Sequence, residues 1–219
     1  DLSQHFNPSY DTGNVTRKFY LFVSGTCWIF GTLAAIESRV LVVEGTECDF
    51  SEQNVACCMD PAWVYLNTPP DYRCNSGGDS FRVVDLLAKK GTRLESCDPY
   101  DTATINTEPC DDTCATIKRI TGFRLVADSP DQITEVKDAI YNYGPVSMAF
   151  RHDGAYMYTT DDGNVYYWPD CTGSTNHLVT IVGWDDTIAH PKGVESEGDE
   201  LGAWIVKNSW GTGWGDDCE

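Results

Sequence analysis

The chain has 219 residues, of which 41% are hydrophobic and 22% charged, and its formal net charge is −19. This composition is typical of a soluble globular protein and excludes a disordered or fibrous chain. The negative charge argues against a nucleic-acid partner, because phosphate groups would be repelled. The longest apolar runs, at residues 19–23 and 33–43, are too short or too interrupted by charge to span a bilayer, so we expect no membrane segment.

Ten cysteines are many for a reducing compartment, and they lack the paired CxxC blocks of a zinc site. We therefore expect disulfides, and with them secretion or a lysosome-like lumen. The chain begins at Asp1 without the basic and apolar regions of a signal peptide. We expect that any signal or pro-segment has been removed.

The first predicted element is a buried helix that begins at Cys27, with Thr26 placed to cap its N-terminus. Its apolar residues recur at helical spacing: Ile29, Leu33, Ile36 and Val40. A second helix is predicted over residues 80–90, stopped by Gly91. Its expected buried face consists of Phe81, Val84, Leu87 and Ala88.

A third helix is predicted over residues 131–143, opened by Ser129 and Pro130 and closed by Gly144 and Pro145. Beyond it, three short apolar runs rich in Val, Ile and Trp predict strands. These runs cover residues 146–150, 177–184 and 203–210, and the polar stretch 185–202 is interpreted as a surface loop.

A mainly helical first half and a mainly strand second half predict an α+β fold of two lobes with a cleft between them. The boundary is expected near residues 115–130. The acidic stretch at residues 161–164 lacks the ligand spacing of a calcium loop and is interpreted as a turn, so no metal or other cofactor is predicted.

Three residues are candidates for chemistry. Cys27 stands at a helix N-terminus, where the helix dipole and free N–H groups favour thiolate over thiol. A half-cystine or an inert buried thiol is the alternative at this position. His177 opens an apolar strand, and Asn208 lies in the segment WIVKNSWGTGWG. Each is weak alone, since a strand-end histidine and a turn-forming asparagine are common.

Taken together, several blocks along the chain resemble the signature blocks of the papain family of cysteine peptidases, in the family's order. They are GNVT at 13–16, GTCWIF at 25–30, SEQ at 51–53, CNSGG at 74–78, DPY at 98–100, YGPVS at 143–147, NHLVTIVGW at 176–184 and WIVKNSWGTGWG at 204–215. Many blocks in order are far more specific than one short motif. The resemblance implies a mature papain-like or cathepsin-like unit, with a helical left lobe at residues 1–120 and a β-barrel-like right lobe at residues 121–219.

By this resemblance, Cys27 is the nucleophile, His177 the general base and acid, Asn208 the residue that orients the imidazole, and Trp210 its shield from water. The implied reaction is hydrolysis of internal peptide bonds through a thioacyl intermediate. The residues implied in substrate binding are Gly77, Gly78, Asp79, Ala149, Thr175 and Asn176. A monomer, made with an N-terminal propeptide and acting on peptide or protein substrates, is expected.

The chain departs from the family's pattern in three places, one of which is a long segment at residues 59–73 followed by Ser76 inserted into the CNSGG block. Leu21 stands where the family has a glutamine that helps to hold the oxyanion, and loss of such a donor typically costs about 100-fold to 1000-fold in rate. A papain-like fold that binds peptides or proteins and cleaves poorly is therefore the alternative function. Ser24 replaces a family cysteine, so Cys74 needs another partner.

The resemblance leaves the disulfide connectivity open. Either Cys57 or Cys58 is expected to pair with Cys74 and the other with Cys110, and Cys97 with Cys114 is a further possibility. Apart from Cys27, nine cysteines remain, so we expect that at least one is unpaired or has its partner outside this chain.

Overall fold

The structure is a computed structural model that describes the strand at residues 4–6 and residues 25–60, 77–105, 107–160, 163–168, 172–188 and 201–211. The predicted roles of Leu21 and Cys74 lie outside these residues, as do residues 161 and 162 of the acidic stretch. In the described part, no helix combines the length and the apolarity needed to cross a membrane.

Helix α1, Cys27–Glu44, begins where the sequence predicts. Its core-facing residues include Ile29 and Leu33, which are fully buried. The expected cap is wrong in its detail, because the Thr26 side chain makes no capping bond and its hydroxyl instead lies 2.8 Å from the Tyr100 hydroxyl. The helix ends at Gly45, whose φ of 66° is the left-handed conformation that glycine adopts readily.

Two shorter helices pack beside α1 in the first half of the chain, α2, Glu52–Cys58, and α3, Ser80–Lys89. The buried face of α3 is rotated from the predicted one: its buried residues are Val83, Val84, Leu86 and Leu87. Phe81 and Ala88 are exposed, which corrects that part of the prediction, and the Phe81 ring contacts Phe123 at the surface. The sequence reasoning did not predict α2.

A four-stranded antiparallel sheet forms the core of the second half. Its central strand is β5, His177–Asp185, and its other members are β1, Gln4–Phe6, β2, Val146–Phe150, and β6, Ala203–Lys207. The register of β2 on β5 places Phe150 opposite His177. Helix α4, Ile133–Tyr143, covers the sheet by packing Ile140 against Ile181 and Trp184.

Between β2 and β5 lie a short 3₁₀ helix, Gly154–Tyr156, and a hairpin of β3, Met157–Thr160, with β4, Gly163–Tyr166. The sequence reasoning did not predict this hairpin. The strand β1 comes from the N-terminal end of the chain and pairs with β5. The division into lobes at residues 1–120 and 121–219 stays a prediction.

Helix α1 and strand β5 are in close contact at Gly31. A Cβ atom added to Gly31 would lie 2.5 Å from Cδ2 of Leu178 and 3.2 Å from the backbone carbonyl of Val179. The Thr180 hydroxyl donates a hydrogen bond of 2.8 Å to the carbonyl oxygen of Gly31. A side chain at this position would require Leu178 and the backbone of β5 to shift, so glycine permits the close approach that sets the start of α1 relative to the start of β5.

The described residues contain the disulfides Cys58–Cys110 and Cys97–Cys114, with sequence separations of 52 and 17. The first agrees with one of the two pairings left open for Cys110, and the second with the further possibility. Both bridges cross-link the first half of the chain, where closing a loop lowers the entropy of the unfolded state.

Asp98 is a buried carboxylate in this cross-linked region. Burial raises the pKa of its carboxyl group, the Asn54 amide that donates a bond of 2.9 Å opposes the rise, and Glu108 and Asp111 add to it. A raised pKa in the folded state means that ionised Asp98 costs stability above the pKa of the unfolded chain, about 3.9. The cost disappears when the pH falls below that value.

We expect Asp98→Asn to raise Tm at pH 7 by about 2 °C and to have no effect near pH 3. Thermal unfolding followed by circular dichroism at both pH values measures the difference. The matched control is Asp112→Asn, which removes the same charge from a side chain that is 65% exposed. Equal shifts in the two variants would show that net charge, and not burial of Asp98, is responsible.

Candidate active site

His177 and Asn208 are joined by a direct hydrogen bond. Nε2 of His177 lies 2.9 Å from Oδ1 of Asn208, which also accepts a bond of 2.8 Å from the backbone N–H of Ser209. Because an amide oxygen only accepts, Nε2 carries the proton of this bond. The neutral imidazole therefore has its lone pair on Nδ1, which is left available to take a proton from another group.

Trp210 covers one face of the imidazole. The His177 and Trp210 rings are stacked, with centroids 4.9 Å apart and an interplanar angle of 23°. His177 is 9% exposed. Exclusion of water strengthens the bond to Asn208, because electrostatic interactions are larger in a medium of low dielectric constant.

Cys27 is the first residue of α1, and its partly buried thiol lies at the junction of α1 and β5. Burial raises the pKa of the Cys27 thiol, while the backbone N–H groups of Leu178, Trp28 and Cys27 itself oppose the rise. Leu178 directly follows His177. The structure thus brings the sulfur to the backbone of the residue beside the predicted base.

Burial also disfavours the charged form of His177. It lowers the pKa of His177, the hydrogen bond that His177 donates to Asn208 raises it, and the neighbouring His152 lowers it further. A lone thiolate or a lone imidazolium is therefore disfavoured at this place. Transfer of a proton from Cys27 to His177 creates both charges together, and each then stabilises the other.

The predicted substrate-binding residues lie on three segments, at residues 77–79, 149 and 175–176. Gly77 has a φ of 71°, and Gly78 rests on the indole of Trp28, where an added Cβ would lie 2.5 Å from the ring. Ala149 and Thr175 are exposed, and their contact with substrate stays a prediction. The packing of Gly78 on Trp28 explains why a glycine is needed there.

Two of the predicted binding residues are already engaged within the protein. Oδ1 of Asp79 caps α3 by accepting from the backbone N–H of Arg82 at 3.1 Å, and its other oxygen lies 3.3 Å from Nε of the same arginine. Asn176 uses its side-chain amide to hold the backbone of His152, with bonds of 2.6 and 2.9 Å. Contact of either residue with substrate stays a prediction.

Sequence reasoning missed the ring cluster around His177. Phe150, His152 and Tyr166 contact one another, and the first two contact the His177 ring. The predicted strands at residues 146–150 and 177–184 include two of these rings, Phe150 and His177. Their register, which places Phe150 opposite His177, cannot be read from the apolar runs alone.

A metal site gains little support from the described residues. One group there has His, Cys, Asp or Glu atoms close enough to share an ion, formed by Cys58, Cys110 and Asp112. Its two sulfur atoms are joined in a disulfide, which leaves one carboxylate as a ligand.

The sequence as a whole matches a family model described as papain family cysteine protease, over residues 6–218. The chain belongs to the papain family of cysteine proteases. The predicted family is thus confirmed.

Relatives and solved structures agree with this membership. The chain is 28% identical to bovine cathepsin S, with 94% of this chain and 56% of the relative covered. It is 30% identical to cysteine proteinase 3 of Entamoeba histolytica, with 99% and 59% covered. The chain therefore spans little more than half the length of these relatives of the papain family.

Among solved structures, the cysteine protease and lectin-like domains of a surface-layer-associated protein of Clostridium difficile match with a TM-score of 0.72 and 28% identity. That match covers 96% of this chain and 45% of the other. Bromelain of Ananas comosus matches with a TM-score of 0.70 and 24% identity, over 97% of this chain and 85% of the other. The predicted α+β fold of the papain family is confirmed.

Proposed function

We propose that the chain hydrolyses peptide bonds, with Cys27 as nucleophile, His177 as general base and acid, and Asn208 as the residue that orients the imidazole. The observation that carries this proposal is the 2.9 Å bond from His177 to Asn208, which leaves Nδ1 as the proton acceptor. Membership of the papain family supports the same assignment.

In the first half-reaction, Nδ1 of His177 takes the proton from the Cys27 thiol as the sulfur attacks the carbonyl carbon of the scissile peptide bond. The tetrahedral intermediate then collapses, and the imidazolium returns the proton to the leaving amine. A water molecule, deprotonated by His177, hydrolyses the thioacyl intermediate and restores the thiol. The imidazolium is needed in each half-reaction, and Asn208 stabilises it.

The oxyanion of the intermediate requires hydrogen-bond donors. Cys27 is the first residue of α1, and the N–H groups of a helix's first turn lack acceptors within the helix. We propose the Cys27 N–H as one donor. The position of the family's second donor is taken by Leu21, so the proposed enzyme is slower than a relative that retains the glutamine.

An extended peptide is the proposed substrate, bound along Gly77 and Gly78 by backbone hydrogen bonds. We propose that cleavage occurs within the peptide rather than at its ends. A carboxylate such as that of Asp79 would favour a basic side chain of the substrate. We propose that this preference is weak, because Arg82 already neutralises the carboxylate.

The disulfides Cys58–Cys110 and Cys97–Cys114 support a compartment that is oxidising, which includes the exterior of the cell and a lysosome-like lumen. We further propose that the chain is a monomer and that it is made with an N-terminal propeptide. The propeptide is supported by the relative rat procathepsin L, at 28% identity.

The proposal is tested by incubation with a peptidyl vinyl sulfone, a reagent that alkylates activated thiols, followed by mass spectrometry of the intact protein. The wild type is expected to gain one label at Cys27, and Cys27→Ala to gain none. The matched control is Cys48→Ser, because Cys48 is a second partly buried free thiol of the described residues. This variant should label like the wild type and hydrolyse a peptide substrate.

A second function, the binding of peptides without cleavage, is favoured by two observations. Burial raises the pKa of the Cys27 thiol, and Leu21 replaces an oxyanion donor. Folded protein that binds peptides but neither labels at Cys27 nor hydrolyses them would establish this function and refute the peptidase.

A further inference from the structure

A second histidine lies beside the proposed catalytic one. His152 follows strand β2, and its backbone is held from one side by the amide of Asn176, which accepts from its N–H at 2.6 Å and donates to its carbonyl at 2.9 Å. On the other side, the Tyr166 hydroxyl donates to the carbonyl of Arg151 at 2.7 Å and accepts from the N–H of Asp153 at 3.2 Å. The position of His152 is therefore fixed by its neighbours.

The His152 ring completes the enclosure of His177. It meets the Trp210 ring edge-on, with centroids 4.8 Å apart, and lies 5.9 Å from the His177 ring. Its own face is stacked on Tyr166 at 5.5 Å. Trp210 thus contacts both histidines, and any movement of His152 alters the packing that holds the catalytic imidazole.

Charge on His152 is felt directly by His177. Nε2 of His152 is buried and has no hydrogen-bond partner among the described residues. Burial lowers the pKa of His152, and Asp153 opposes this. When His152 does gain a proton, its ring lies 5.9 Å from the His177 ring, and no acceptor among the described residues binds Nε2 to neutralise the charge.

Other charged groups near this turn are directed elsewhere. The guanidinium of Arg151 lies over the ring of Trp168, 5.6 Å from its centroid, and donates to the carbonyl of Ser174 at 3.2 Å. Asp153 accepts from the N–H of Ala155 at 3.0 Å. The Tyr166 hydroxyl is occupied by the backbone bonds described above. Among these groups, His152 is therefore the one that faces His177 and whose charge changes when it gains a proton.

We propose that His152 is a positioning residue for the peptidase reaction, which holds the His177 imidazole while neutral and, when protonated, suppresses the imidazolium that His177 must form. The inference rests on the proposed function. Its basis is that two positive rings 5.9 Å apart repel each other, and that His177, which must carry one of the charges, is only 9% exposed. At that separation, and at the effective dielectric constant of about 20 that suits protein sites, the repulsion corresponds to a rate effect of up to about 100-fold.

The consequence is a loss of activity in acid that belongs to His152 and not to Cys27. In the wild type, kcat/KM should fall as the pH drops through the pKa of His152. This fall is the acid limb of the pH profile. Replacing His152 by a residue that does not titrate should move the acid limb to lower pH. Above the pKa of His152 the neutral ring still packs against His177 and Trp210, so a variant that keeps a ring should retain more activity there than one that does not.

The test compares the wild type with His152→Gln, which does not titrate, and with His152→Phe, which keeps a ring. Arg151→Gln is the matched control, since it changes a charge one residue away on a side chain directed toward Trp168. NMR titration of ¹³C-labelled histidines gives the pKa of His177 in each protein, and kcat/KM is measured from pH 4 to pH 9. Thermal unfolding confirms that each variant is folded.

Both His152 variants are expected to raise the pKa of His177 and to shift the acid limb to lower pH, while Arg151→Gln changes neither. An active enzyme whose two His152 variants keep the acid limb of the wild type would overturn the inference and leave the peptidase intact. A wild type that neither hydrolyses peptides nor labels at Cys27 would refute the proposed function and the positioning role with it.

Discussion

Asn208→Ala is expected to lower kcat/KM by about 10-fold to 100-fold and to move its alkaline limb to lower pH. Asn208 raises the pKa of His177 against the effect of burial, so its removal lowers that pKa. As the pH rises, the imidazolium of the variant therefore loses its proton at a lower pH than that of the wild type. The measurement is kcat/KM for a peptide substrate across the pH range.

Asn208→Asp provides the matched comparison. It keeps an oxygen acceptor within reach of Nε2 and adds a negative charge, which favours the imidazolium. The alkaline limb should therefore move in the opposite direction, to higher pH. If neither variant shifts this limb, the bond between His177 and residue 208 does not govern protonation of the base.

Gly31→Ala is expected to lower kcat/KM by up to about 100-fold, the cost of displacing a catalytic group by as much as about 1 Å. The added methyl group would lie 2.5 Å from Leu178 Cδ2 and 3.2 Å from the backbone of Val179. The leucine can change its rotamer, but the backbone of β5 cannot move without carrying His177 with it. Helix α1, with Cys27 at its start, is then pushed away from the strand.

The same substitution should destabilise the fold by about 1–3 kcal/mol, as overpacked cores do, which urea unfolding measures. Val43→Ala on the same helix is the control, because Val43 is 59% exposed. The double variant Gly31→Ala with Leu178→Ala frees part of the space and should be less destabilised than the two single changes predict together. Strict additivity would mean that the clash with Leu178 is not the cause.

Much of the fold follows from local sequence signals. The start of α1 at Cys27, the end of α3 before Gly91 and the strand at residues 146–150 were all predicted, because helical spacing, glycine and β-branched residues act within a few positions. The predicted face of α3 is wrong at Phe81, since the helix packs through Val83, Val84, Leu86 and Leu87 and a helical repeat alone does not show which side meets the core. The hairpin of β3 and β4 could not be predicted, because it lacks an apolar run long enough to indicate a strand.

The candidate site, like the fold, could be predicted only in part from the sequence. Cys27, His177 and Asn208 were proposed from blocks that resemble a family, and the structure brings the last two into direct contact. The place of His152 could not be predicted, because it depends on the register of β2 on β5 and on the bonds from Asn176. Contacts between strands are set by the whole sheet, and a single strand does not encode them.

The packing at Gly31 also bears on how a substrate is admitted. Leu178, the residue after the proposed base, belongs to the same buried cluster as Trp28 and Leu33 of the helix that bears the proposed nucleophile. A hinge motion that opened the cleft by separating α1 from β5 would expose this cluster to water, at a cost in free energy that grows with the area uncovered. For the proposed peptidase, we therefore expect substrates to be admitted without separation of α1 from β5.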